Sequence, residues 1–307
     1  MMRMPTHWRA TMVFSGIAIG VTSAVGIVMA FAGWTVASRA WAGLVPVAMW
    51  APALARLAAH RTVDRDYVSP FPLRRFGRPR AFAALFPLAL PLTVYGAAYA
   101  VAVALGKAHW SPGGGKWTTP GQIVANLAVN LLILGVAGTF TAMGEEIGWR
   151  GYLQPRLDSA GVRFSLLVVA AVELAYHAPL IIGAGYLGGE GPLWGLASFA
   201  LGALPWIYLI TWACYRAGSV WPAILLHSSH NTISQWLFPK LFTGGEDALW
   251  LGESGILPQA GYWIAAAILF LALRRSGAAR AEQKERAGRQ GQKACIHRQQ
   301  SYGKNAG

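Results

Sequence analysis

Apolar residues along this chain come in long unbroken runs, not in the spaced stripes of helices that lie on a soluble core. Eight stretches stand out, at about 11–33, 40–58, 81–105, 121–143, 163–182, 192–213, 219–237 and 256–273. About twenty apolar residues at 1.5 Å rise span the hydrocarbon core of a bilayer, so each stretch predicts a transmembrane helix. The second is interrupted by Arg56, whose head must reach the interface on its aliphatic stem. The first follows "MMRMPTHWRA" and is longer than the 7–15 apolar residues of a signal peptide, which makes it an uncleaved span. Two larger polar segments remain: 60–80, with "SPFPLRRFGRPR", and the tail "SGAARAEQKERAGRQGQKACIHRQQSYGKNAG". The pattern therefore predicts an all-α membrane protein. A polytopic bundle of about eight transmembrane helices occupies 1–275, and 276–307 form a basic, disordered cytoplasmic tail.

Composition agrees with this reading, and charge refines it. Of 307 residues, 55% are hydrophobic and 12% charged, against about 25% charged in soluble proteins. The net charge of +14 raises the question of nucleic acid, but its distribution argues for another cause. With the N-terminus inside, 22 of the 26 Lys and Arg residues fall on the cytoplasmic side, leaving only Arg39, Lys107, Lys116 and Lys240 outside. That bias is the positive-inside pattern, so the basicity is topological and no nucleic-acid partner is implied. It predicts a multi-pass protein of the cell membrane with both termini cytoplasmic. Glu190, Glu246, Asp247 and Glu253 fall in outside loops. The two cysteines, Cys214 and Cys295, form neither a CxxC site nor a disulfide framework.

Ionisable residues at membrane depth are rare and generally face a bundle interior or a cavity. Three groups occur here: Glu145, Glu146 and Arg150 at the inner end of the fourth span; Glu173 and His177 in the fifth; His227, His230 and Asn231 in the seventh. Glu146 and Arg150 are four apart with the acid first, the favoured order for a helical ion pair. Glu145 is rotated by about 100° from Glu146 and has no charged neighbour on its own helix. His227 and Asn231 share a face, and His230 is near enough to join them. Nominal depths along the spans differ, so Glu145, His177 and His227 meet only around a cavity opening toward the cytoplasmic side.

The motifs "EEIGWRG", "ELAYHAPL" and "HSSHN" give this chain a resemblance to the type II CAAX prenyl endopeptidase and bacteriocin-processing family of intramembrane glutamate proteases. The resemblance covers roughly 120–235, with order and spacing both matching. It implies an endopeptidase acting on a membrane-associated protein or peptide. Glu145 and His177 would activate water, His227 and Asn231 would stabilise the oxyanion, and Glu146 and Arg150 would support the helix. It implies no cofactor. The family usually carries an aromatic where this chain has Glu173. Four residues from His177 on one face, Glu173 has two readings: it hydrogen-bonds to that imidazole and modulates it, or it is a bystander facing the cavity.

Two other readings use the same residues. Glu145, His177 and His227 could serve as one carboxylate and two imidazoles for zinc, although no HExxH pair is present. A non-catalytic membrane immunity or scaffold protein is the alternative outside the enzyme class. A transporter is disfavoured by the lack of polar residues in the first three spans and the last.

Overall fold

The computed structural model describes residues 4–187, 189–244 and 249–276. The expected disordered tail, and the loop acids Glu246 and Asp247, lie outside the described residues. The chain divides into two compact units, Met1–Trp263 and Ile264–Gly307. The first contains α1 (Thr6–Ala32), α2 (Arg39–Thr62), α3 (Arg80–Ala104), α4 (Pro120–Gly148), α5 (Gln154–Ser159), α6 (Ser165–Ala184), α7 (Pro192–Ala217), α8 (Trp221–Thr232) and α9 (Phe238–Leu241). A tenth helix, α10, covers Ile256–Ser276. A short antiparallel ribbon pairs β1 (His109–Trp110) with β2 (Phe242–Thr243). In the second unit the described residues are helical and expose Ile264, Ile268, Phe270, Leu271 and Leu273.

Among the described residues, seven helices are long and apolar enough to cross a membrane: α1, α2, α3, the run Pro120–Ser159, α6, α7 and α10. The protein is thus an all-α, multi-pass membrane protein, with one fewer qualifying helix than the eight expected. The difference lies at 219–237. This segment does form continuous helix, as α8, a π-helical turn at Ile233–Leu237, and α9. Its length is sufficient, but His227 to Thr232 are all polar and lower its hydropathy below that of a free-standing span. Their polar groups are sheltered by neighbouring helices; Ser228, Ser229 and His230 are buried.

The fourth span differs in the other direction. It was expected to end near residue 143, yet helix continues through Gly148, a π-helical turn at Trp149–Leu153, and α5. Its start is set by a capping box: Thr119 Oγ1 accepts from the Gln122 amide, Gln122 returns the bond to the Thr119 amide, and Pro120 occupies the first turn. Its far half is set by packing. A Cβ on Gly144 would lie 2.6 Å from the Met49 carbonyl oxygen, and one on Gly148 would collide with Pro52. Only glycine lets α2 and α4 approach so closely, the small-residue packing common between membrane helices. The same device joins α1 to α6, where Gly26 and Gly183 press backbone to backbone beside Pro179. On its other side α4 meets α8 through Gly138 and Thr139, whose hydroxyl lies 3.2 Å from Ser228 Oγ. Between these contacts lies a core containing Phe14, Ala51, Trp149, Tyr152, Tyr176 and Ile207.

Candidate active site

The close contacts of α4 fix where its charges go. Glu145, Glu146 and Arg150 are 4%, 0% and 1% exposed, so none reaches solvent as a headgroup-level residue would. The expected Glu146–Arg150 pair is present, with Arg150 Nη1 3.3 Å from each carboxylate oxygen. Two further partners come from other helices. His227 of α8 places Nδ1 2.8 Å from Glu146 Oε1. Arg150 Nη1 lies 2.9 Å from Glu173 Oε1 of α6. The charges thus form one chain, Glu173–Arg150–Glu146–His227, running through three helices.

Glu173 lines the cavity and takes a partner that neither of its two expected readings named. Its carboxylate neutralises Arg150 and is not the partner of His177. His177 Nδ1 instead lies 2.8 Å from the Glu173 backbone carbonyl, an intrahelical bond to residue i−4. A carbonyl only accepts, so Nδ1 carries the proton and Nε2 is the ring's open nitrogen. The ring is braced against Phe199, 4.4 Å away between centroids. His227 has the same polarity: Nδ1 donates to Glu146, and Nε2 is left open.

Among the described residues Glu145 has no ion pair, as its helical position suggested, but it is not unpartnered. The Trp149 indole N–H donates to Oε2 at 3.1 Å, and the Tyr176 hydroxyl lies 3.4 Å from Oε1 and 2.8 Å from the Ala48 carbonyl. Trp149 is fully buried, edge-on to both Phe14 and Tyr176. Both neutral donors were passed over at the sequence level, where only charges were paired. The i, i+4 spacing of Trp149 from Glu145 was a signal that could have found one of them.

Glu145, His177, His227 and Asn231 all line one cavity of about 90 Å³, together with Glu146, Arg150, Glu173 and His230. A liquid water occupies about 30 Å³, so the space accommodates a few molecules among these groups. The Asn231 carboxamide makes no hydrogen bond among the described residues and faces this space unclaimed. Four side chains from α4, α6 and α8, separated by up to 86 positions in sequence, therefore converge.

Glu253 is the cavity residue that sequence reading missed. Assigned to an outside loop, it lines the same cavity. It accepts hydrogen bonds from Tyr186 at 2.7 Å and Gln235 at 2.8 Å, and its Oε1 lies 3.7 Å from His230 Nε2. His230 Nδ1 in turn contacts the Tyr262 hydroxyl at 2.8 Å. His230 thus belongs to a second polar group on the cavity wall, separate from His227. No motif spacing links Glu253 to the other residues; only the fold of the loop before α10 brings it in. Among the described residues, no three His, Cys, Asp or Glu side chains are grouped so as to hold a metal ion.

None of the curated proteins matches this chain. Residues 126–233, which contain all three motifs and every side chain of the charge chain, match the family model described as Type II CAAX prenyl endopeptidase Rce1-like. That match spans 108 of the 307 residues and makes this segment similar to the Rce1-like type II CAAX prenyl endopeptidases, a family of proteases.

Proposed function

We propose that this protein is a glutamate-type intramembrane endopeptidase that hydrolyses a peptide bond of a membrane-associated protein or peptide. The convergence of Glu145, His177, His227 and Asn231 on one cavity carries the reading. In it, Glu145 and the open Nε2 of His177 take a proton from water, whose oxygen adds to the scissile carbonyl carbon. Protonated His227, donating from Nε2, and the Asn231 N–H stabilise the oxyanion. The proton passes to the leaving nitrogen as the C–N bond breaks, giving a carboxylate and an amine. Glu146, Arg150 and Glu173 hold these groups without touching the substrate. Burial of all three is consistent with this role, since their geometry is set by one another and not by solvent. In this reading both termini are cytoplasmic, a topology supported by 22 of 26 basic residues on that side.

The test compares peptides from membranes carrying wild-type protein or Glu145→Gln at matched levels. New termini present only with wild type support the reading; identical peptide sets, with both proteins folded, overturn it in favour of a binding or scaffold role. Chelator treatment separates the mechanisms. Activity that survives it fits the glutamate assignment, whereas loss restored by zinc transfers Glu145, His177 and His227 to a metal.

A further inference from the structure

A second cavity, of about 380 Å³, is lined by Gly151 and Tyr152 of the π-helical turn whose Arg150 lines the candidate active site. Its basic residues are Arg56 and His60 from the last turns of α2 and Arg74 from the following loop, and among the described residues no acidic one lines it. Arg56 is half-buried, and its guanidinium lies against Gly151: a Cβ there would come within 3.7 Å of Nη1. None of the three side chains has an ion pair or hydrogen bond among the described residues. By contrast, the neighbouring Arg156 is bidentate to Asp64 at 2.6 and 3.1 Å. An uncompensated guanidinium inside a wall of protein is costly unless an anion completes it.

The cavity is built, not a gap between loose loops. Its rim is pinned where Trp221 Nε1 donates to the Leu73 carbonyl at 2.7 Å and Ser219 Oγ to that of Arg75. The Arg78 amide donates to the Ala217 carbonyl at 2.9 Å. The remaining wall is largely apolar, including Phe71, Pro72 and Val220. Val68 and Leu73, both in that wall, are 85% and 39% exposed, which carries the apolar surface from the cavity outward.

From this combination we infer a binding site for an anionic phospholipid. The phosphate would sit between the Arg56 and Arg74 guanidinium forks with His60 beside it, and the acyl chains would leave past Val68 and Leu73. Planar guanidinium groups match phosphate oxygens in pairs, and the apolar margin suits a ligand with a hydrocarbon tail. Volume is in the range of small-molecule sites.

The full-length protein in detergent can be titrated with phosphatidylglycerol, phosphatidylcholine and inorganic phosphate, with bound lipid counted by native mass spectrometry and thermal unfolding followed in parallel. Phosphatidylglycerol should bind more tightly and stabilise. Arg56→Gln should weaken it about tenfold, the value of one charge-assisted hydrogen bond to phosphate. Arg74→Gln should weaken it by a smaller factor, and Arg163→Gln, an exposed residue outside the cavity, should leave it unchanged. Arg74 is exposed, so its variant decides the matter should Arg56→Gln fail to fold. Equal binding of the two lipids, or equal weakening by Arg74→Gln and Arg163→Gln, overturns the site. Competition by inorganic phosphate as strong as that of the lipid would show a free-anion site and overturn the lipid assignment.

Discussion

The two halves of the helical run Pro120–Ser159 obey opposite rules. In the first, Val124, Val129, Leu132, Ile133, Val136 and Phe140 are all more than half exposed, and the most apolar 18-residue window buries 0% of its residues. In the second, from Ala142 to Leu153, nearly every residue is buried, including two glutamates and an arginine. In water the apolar half would be the core and the charged half the surface. In a bilayer the lipid solvates apolar side chains as well as protein does, so apolarity no longer decides what is inside. Polar groups decide instead, because only other protein groups or a wet cavity can satisfy them. The charged half of this helix is the interior because it is charged.

The largest expected effect tests that inversion directly. Arg150→Ala leaves Glu146 and Glu173 buried without their shared counterion, and should lower stability by about 3–5 kcal/mol. Leu132→Ala, in the apolar half, should change it by no more than about 0.5 kcal/mol. Thermal unfolding in detergent compares them, and equal losses would remove the contrast. Glu146→Ala should lose somewhat less than Arg150→Ala, since it strands His227 while Arg150 keeps Glu173, and Glu145→Gln should stay close to wild type in stability.

A single substitution made in both halves sharpens the comparison. Gly148→Ala drives a methyl group into Pro52 and should cost about 1–3 kcal/mol. Gly135→Ala meets nothing within 4 Å, so the higher helix propensity of alanine should leave it neutral or more stable by up to about 1 kcal/mol. Opposite signs are expected from the same unfolding measurement. The same sign at both positions would mean that helix approach does not set this packing.

Glu173→Phe separates the two roles available to this residue. Arg150 keeps Glu146, so stability should drop by less than in Arg150→Ala, on the order of 1–3 kcal/mol. The acidic limb of the pH–rate profile should coincide with wild type, because the partner of His177 is a backbone carbonyl that the substitution preserves. A displaced limb would show that the carboxylate acts on His177 after all.

The smallest effect concerns the loop before α10. Burial pushes the Glu253 carboxyl up, but His230 and the Tyr186 and Gln235 hydrogen bonds more than reverse this and hold it at about 2, below the usual 4.5. A carboxyl with a depressed folded value contributes stability above its ordinary range and loses it as pH falls toward the folded value. Hydrogen exchange of 249–255 should therefore be slower in wild type than in Glu253→Gln at pH 6. The difference should shrink as pH falls from about 4.5 toward 2. A difference independent of pH would place the anchoring elsewhere.

Local spacing explains which features could be read in advance. Apolar runs fixed the helices because crossing a bilayer depends on length and composition alone, and the Glu146–Arg150 pair followed from 3.6 residues per turn. The grouping of Glu145, His177, His227 and Asn231 was visible because each is a polar exception in an apolar segment. The segment 219–237 falls short by composition because its polar residues, the candidates for the site, also make it a poor free-standing span.

Contacts between helices were not legible in that way. Nothing in the periodicity of α6 or α8 says that Glu173 turns to Arg150, or His227 to Glu146. Those pairings depend on how far glycine at 144 and 148 lets α2 approach α4, and on how Gly138 seats α8. Glu253 illustrates the limit most clearly: in sequence it is one acid among several in a loop, and the fold makes it part of the cavity wall. Neighbours along a helix are dictated by its geometry, one residue at a time. Neighbours across helices are dictated by the shapes of all the surfaces that must close around them, and those shapes exist only once the chain has packed.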